Sequence, residues 1–307
     1  MPDVDPLAPP VDLLLASWAR RVRENREQVE HFGEQLDGPD RYAPVAGRFR
    51  ADPRRAGEPA LDALRSLARP DETWLDIGAG GGRYALPLAL VAREVIALDP
   101  SEGMLAVLRE EMAEHGIANV RVVPGRWPAA ATAGSSADGV RTGGPSVEAD
   151  VAFIAHVGYD IEEIGPFLDA LERSARRRCV AMLFWRRPTW AIDELWPAVY
   201  GVERSPLPAL RELLTLLMAR GRRFELREVP GTPTIYDSRE QVLAFARHQT
   251  WVRPDGEKDR RLQQIVAERT IERDGRFAFD WEPSPLGIVT WAPDLSPLPP
   301  SPPRGGG

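Results

Sequence analysis

Gly78, the run Gly80-Gly81-Gly82 and the acid Asp76 are the residues whose types and spacing point most directly to chemistry. They close an apolar stretch, Trp74-Leu75-Asp76-Ile77, that reads as a buried strand. A chain leaving such a strand must turn sharply, and residues without Cβ let the backbone approach a bound ligand closely. Several nucleotide cofactors impose that need, so glycines alone discriminate weakly. Spacing says more. A dinucleotide turn places its third glycine or alanine three positions after the second, where this chain has Arg83; the third glycine falls at Gly82 instead. Asp76 also stands two residues before the first glycine, where a dinucleotide strand usually remains apolar. A carboxylate there suits a positively charged amino-acid group and repels a pyrophosphate.

The segment Leu75-Asp76-Ile77-Gly78-Ala79-Gly80-Gly81-Gly82 resembles the first motif of the class I S-adenosylmethionine-dependent methyltransferases. The resemblance implies that Asp76 and the backbone of Gly78, Ala79, Gly80 and Gly82 hold the methionine part of S-adenosylmethionine. It further implies an acid at the end of the second strand that binds both ribose hydroxyls. Asp99, in Val95-Ile96-Ala97-Leu98-Asp99-Pro100-Ser101, occupies that place about 20 residues downstream. Pro100 is counted with it, and Met104 and Leu105 match family positions flanking the adenine. After the third strand the family often sets an acid behind a glycine to accept the adenine amino group, but this chain reads Gly125-Arg126-Trp127. A backbone carbonyl at Arg126 could take that hydrogen bond, and Trp127 could pack on the ring. The resemblance covers roughly Thr73 to Trp185.

Ligands of open α/β sheets bind beyond the carboxyl ends of the strands, so the end of the fourth strand faces the reactive methyl group. Ala155, His156, Val157, Gly158, Tyr159 and Asp160 fall there. His156 could remove a proton from an acceptor hydroxyl or amine. Equally, it could bond to backbone or line the pocket. Methyl transfer from a sulfonium needs an acceptor held in line and water excluded, so a base is optional. Trp185, Trp190 and Trp196, among nine tryptophans, cluster after the fifth strand, where the family often builds its acceptor pocket. Any single one is more readily a core residue. Arg186 and Arg187 could bind an acceptor carboxylate or simply be solvated.

Positioning these residues requires an α/β fold: a doubly wound, mostly parallel seven-stranded sheet with helices on both faces. Strands are predicted over Thr73–Ile77, Glu94–Leu98, Val120–Val123, Asp150–Ala155, Cys179–Trp185, Arg223–Val229 and Leu286–Trp291. Helices are predicted over Asp12–Leu36, Pro59–Leu67, Arg83–Ala92, from Ser101 to Gly116, Ile161–Ser174 and Leu207–Ala219. Residues 1–70 read as an N-terminal helical cap and 71–295 as the cofactor-binding domain. Within the latter, 129–148 is a flexible insertion, and 232–281 is a helical insertion with helices over Ser238–Arg247 and Lys258–Glu272. Residues 296–307 read as a disordered tail.

The 307 residues carry a net charge of -7 and 43% hydrophobic residues, an ordinary globular composition that argues against a broad polyanion-binding surface. One cysteine, Cys179, excludes an intrachain disulfide and fits a reducing, cytoplasmic setting. His31, His115, His156 and His248 show no metal-ligand spacing. No signal peptide or membrane span is read in the sequence. The reading is methyl transfer to a small-molecule acceptor, leaving S-adenosylhomocysteine, with no nucleic acid, membrane or metal involved. The alternatives are an RNA or protein methyltransferase, or a cofactor-binding module without catalysis.

Overall fold

The computed structural model describes residues 9–34, 46–47, 49–128, 147–186 and 194–293. The predicted insertion at 129–148, except its last two residues, and the predicted tail at 296–307 lie outside the described residues, as do Arg187 and Trp190. Seven strands form one sheet in the order β3-β2-β1-β4-β5-β9-β6. They are β1 (Thr73–Ile77), β2 (Glu94–Asp99), β3 (Val120–Pro124), β4 (Ala149–Ala155), β5 (Ala175–Phe184), β6 (Phe224–Val229) and β9 (Leu286–Trp291). The first five run parallel, and β9 pairs antiparallel with both β5 and β6. The predicted fold class is what the chain adopts.

Strand β1 is buried at every position, the pattern of a parallel strand covered on both faces. On one face Leu75, Ile77, Ile96, Leu98 and Ile154 pack with α1 (Val11–Phe32), α5 (Ile164–Ser174) and α7 (Leu210–Ala219). On the other, Trp74, Val95, Ala97 and Phe153 pack with α2 (Pro59–Leu67), α3 (Ala85–Ala89) and α4 (Glu102–His115). The two helices of the 1–70 block therefore lie on opposite faces of the sheet.

Helix α4 shows local sequence fixing both ends. Ser101 Oγ accepts the Met104 amide at 3.2 Å, and Gly116 closes the helix in the left-handed conformation. The helix predicted over Arg83–Ala92 is much shorter, spanning only Ala85–Ala89. Pro87 has no N–H to give the carbonyl of Arg83 four residues earlier, and Arg55 Nη2 donates to that carbonyl at 2.9 Å instead. Strand β5 starts at Ala175, earlier than predicted, because Arg178 reaches back to Glu72 and to the Leu67 carbonyl.

A second unit has its own core of Leu195, Val199, Val242, Val252, Leu262, Val266 and Phe279. It comprises α6 (Leu195–Tyr200), α8 (Arg239–Thr250), α9 (Glu257–Arg269) and a hairpin of β7 (Thr270–Arg273) and β8 (Arg276–Phe279). The sequence reading ran its last insertion helix through Glu272 and missed the hairpin. Asp274-Gly275 was the available signal: both residues have positive φ, as a two-residue hairpin turn requires. The unit is moored to the end of α1, where Glu34 donates its amide to the Trp251 carbonyl and Lys258 Nζ donates to the Phe32 carbonyl.

Candidate active site

Strand order reverses between β1 and β4, and the crevice beyond their carboxyl ends is where an open sheet receives its ligand. Asp76, Asp99, the glycine turn and His156 all come to this end. The turn's amides are largely consumed inside the protein. Gly78 and Ala79 donate to the Leu98 carbonyl at 2.7 and 3.1 Å, Gly80 donates to Asp99 Oδ2 at 2.8 Å, and Gly82 donates to the Ala79 carbonyl at 3.0 Å. A phosphate cradle needs those amides pointing outward. This turn offers a shaped floor and two carboxylates, the opposite electrostatic character.

The glycines do different work. A Cβ at Gly78, where φ is +77°, would come within 2.5 Å of Val157 Cγ2, and one at Gly82, with φ +87°, within 2.5 Å of Leu108 Cδ1. Gly82 thus faces the packing of α4, and its part in the cradle is to let the turn close. At Gly80 the nearest atom to such a Cβ is Met104 Sδ at 3.9 Å, which leaves this face open to a ligand.

Asp99 is held by two backbone donors, Gly80 to Oδ2 and Ser101 to Oδ1, both at 2.8 Å. A carboxylate held in this way is an acceptor group suited to the paired hydroxyls of a vicinal diol. Asp76 is 2% exposed and receives no hydrogen bond among the described residues. Burial, with the charge of Asp99 second, lifts its pKa to about 8. A buried carboxylate without a partner is matched by a cationic ligand group, and the residues at this end therefore fit S-adenosylmethionine, which pairs an ammonium with a ribose diol.

Met104 is buried with Val107 and Ala46, so a residue of the N-terminal block packs against the start of α4. Pro100 and Arg126 are exposed, while Trp127 and Ala155 are half-buried. The Gly125 amide donates to the Asp99 carbonyl at 3.0 Å, which ties the β3 tip to the β2 tip and brings Arg126 and Trp127 to this end.

At the tip of β4, His156 adopts a left-handed backbone with φ 59°, uncommon for a residue with Cβ. Its amide donates to the Met182 carbonyl at 2.9 Å and its ring stacks on Phe184 at 4.7 Å. Burial, reinforced by the Arg83 charge, pushes the His156 pKa down to about 4, so the ring is neutral at physiological pH. Nε2 lies 3.3 Å from the Tyr84 hydroxyl. Sequence reasoning did not single out Tyr84, which the short α3 holds against Phe153 and His156. Its position directly after Arg83 at the exit of the glycine turn was the available signal. Tyr159 accepts the Phe184 amide at 2.8 Å and braces the β5 tip. Trp185 packs half-buried beside the sheet, but Trp196 is fully buried in the second unit with the Arg204 guanidinium 4.9 Å from its ring, so Trp196 serves packing.

Residues 75–151 match a family model described as a methyltransferase domain. A 54-residue stretch is 37% identical to a 23S rRNA uracil C5-methyltransferase of Xanthomonas euvesicatoria, covering 18% of this chain and 12% of the relative. A 70-residue stretch is 39% identical to the ribosomal RNA small subunit methyltransferase G of Neisseria meningitidis, covering 22% and 34%. The chain thus spans about a third or less of the length of these curated relatives. Among solved structures, the YcgJ protein of Bacillus subtilis aligns with a TM-score of 0.50 at 15% identity over 76% of this chain and 97% of its own. A Bacillus halodurans protein, provisionally described as a methyltransferase, aligns with the same score and identity over 76% and 98%. These two likenesses concern the fold. No helix among the described residues is long and apolar enough to cross a membrane.

Proposed function

We propose, from the premise that residues 75–151 are a methyltransferase domain of the class I, Rossmann-like kind, that this chain transfers the methyl group of S-adenosylmethionine to a small-molecule acceptor. The observation that carries this is the pair of acids at neighbouring strand tips. Asp76 is buried and receives no hydrogen bond among the described residues, and Asp99 is fixed in place by two backbone amides. When bound, the cofactor would supply an electrophilic methyl on a sulfonium, open to in-line attack by an acceptor lone pair with S-adenosylhomocysteine as the leaving group. The chain's own residues do the rest. Asp76 holds the ammonium, Asp99 takes both ribose hydroxyls, Gly80 leaves room, and Met104 with Trp127 borders the adenine. Gly78, Ala79, Pro100, Arg126 and Ala155 complete the cofactor's surroundings, and Gly82 lets the turn close behind them. His156 faces the acceptor.

A small acceptor is supported by the aromatic side chains gathered at the tips of β4 and β5, where His156 stacks on Phe184 beside Tyr84 and Trp185 follows on the same strand end. The net charge of -7 runs against a polyanionic substrate. We further propose that α1 and the 232–281 insertion cap the acceptor side and that the protein works in the cytoplasm. Methylation of RNA is the second reading, favoured by the ribosomal RNA methyltransferases among the relatives. The test incubates the protein with methyl-labelled cofactor and a cell extract, with and without ribonuclease treatment. Label in a low-mass, ribonuclease-insensitive product is expected. Label only in ribonuclease-sensitive material overturns the small-molecule reading, and cofactor binding with no label anywhere overturns catalysis.

A further inference from the structure

The Tyr84–His156 contact has a direction that the neighbouring charge sets. Arg83 lies beside Tyr84, with its guanidinium carbon 5.8 Å from the ring centroid, and its charge acts on both Tyr84 and His156. A cation offers only donors, so it turns the phenolic dipole to present oxygen to itself and hydrogen away. Burial raises the Tyr84 pKa and keeps that proton on the oxygen. That orientation aims the O–H group at His156 Nε2, 3.3 Å away, in a contact whose donor the imidazole tautomer decides. A neutral imidazole carries one ring proton, and with Nε2 accepting, that proton sits on Nδ1. Nδ1 is buried and has no hydrogen-bond partner among the described residues. A buried N–H left unpaired is costly, so the loaded site must supply an acceptor atom for it.

We propose that Tyr84 is a positioning residue that fixes His156 as the Nδ1–H tautomer, so that His156 donates a hydrogen bond to an oxygen of the methyl acceptor instead of removing its proton. The inference rests on the reading of this end of the sheet as the acceptor site, and it narrows the acceptor to molecules presenting a carbonyl, carboxylate or phenolic oxygen there. An alkylammonium group meets the wrong partner, because Nδ1–H has no lone pair and the Arg83 charge repels it. The indole Nε1 of Trp185, at the same end of the sheet, is likewise a buried donor without a partner among the described residues, which matches an oxygen-bearing guest. The depressed His156 pKa agrees with a donor role, since a ring of that acidity is a poor base at neutral pH.

The test is ring-nitrogen NMR of the full chain labelled with 15N-histidine. Four histidines make assignment tractable, with His156→Gln identifying the signal by its loss. The wild type at neutral pH is expected to show a protonated Nδ1 and an unprotonated, hydrogen-bonded Nε2. Tyr84→Phe, which keeps the ring and removes the donor, is expected to shift the population toward Nε2–H. Arg83→Gln, at an exposed position, is the second variant and is expected to shift it the same way. An Nε2–H wild type, or a tautomer indifferent to both substitutions, overturns the proposal. Titrating benzoate and benzylamine into the protein loaded with S-adenosylhomocysteine tests the acceptor class: benzoate is expected to move the Nδ1 resonance and benzylamine to leave it in place. A response to benzylamine, or to neither probe, overturns the oxygen assignment. None of these readouts needs turnover, so they fail separately from the methyltransferase reading, which fails if no cofactor binds.

Discussion

In the proposed site Asp99 and Asp76 divide the ligand between them, and their surroundings give the two acids different vulnerabilities. Asp99→Ala removes the acceptor for two ribose hydroxyls and also releases the Gly80 and Ser101 amides that shape the turn. Hydrogen bonds to a charged group contribute about 1.5–3 kcal/mol each, so calorimetry is expected to show affinity for S-adenosylmethionine falling on the order of 100-fold or more. Asp76 has a pKa raised to about 8, so the folded state holds its proton more tightly than the unfolded chain does. That contribution is complete below the ordinary carboxylate range and is lost as pH rises toward about 8. The empty wild type is therefore expected to lose thermal stability across this interval. Asp76→Asn is expected to flatten the loss and to be the more stable of the two at the alkaline end. An ammonium arriving beside Asp76 favours the ionised form, so binding near neutral pH is expected to release a proton. Calorimetry in buffers of different ionisation enthalpy reads that release, and the Asn variant should lack it.

Among the elements, the turn between β1 and α3 separates packing from binding within one short glycine run. Gly82→Ala places a methyl group 2.5 Å from Leu108 Cδ1 and 2.9 Å from Leu86 Cγ, at a φ of +87°. Strain and overpacking together are expected to cost about 2 kcal/mol or more, read as a shift in the denaturation midpoint. Gly80→Ala has no comparably close neighbour, so its expected effect is a smaller loss of stability with a disproportionate loss of cofactor affinity. Equal effects at both positions would contradict this division. The elements also show where local pattern carried information. Ser101 and Gly116 fixed α4 at both ends because capping chemistry is local. Helix α3 came out short because the consequence of Pro87 depended on Arg55, which sits 32 residues earlier in the chain and supplies the missing donor.

For the molecule as a whole, the second unit has a hydrophobic core of its own, so it can open independently of the sheet. Its keystone is Asp259, buried between α8 and α9. Asp259 accepts from Arg247 Nε and Nη2 at 2.7 and 2.6 Å, from the Asp255 amide at 3.0 Å and from Gln263 at 2.7 Å. Removing one partner of a buried ion pair costs about 3–5 kcal/mol. Asp259→Ala is therefore expected to raise hydrogen exchange through α8, α9 and the β7–β8 hairpin while β1, β2 and β4 remain protected. Uniform deprotection of the whole chain would show that the two units unfold as one.

The chain order of the seven sheet strands and of the helices packed on them, and the places of Asp76, Asp99 and the glycines, were legible in the sequence. Buried parallel strands, caps and glycine turns are written in consecutive residues, and their spacing is fixed by the backbone. Tertiary structure alone decided what depends on residues far apart. It buried Asp76 without a hydrogen bond among the described residues, pinned Asp99 to the turn, turned Gly82 inward against Leu108, and set the Tyr84 hydroxyl against His156. It also folded Thr270 to Phe279 into a hairpin over a stretch that helical periodicity had partly claimed. Burial and hydrogen-bond partners arise only when distant segments close on one another, and they separate a base from a donor or a ligand contact from a packing contact.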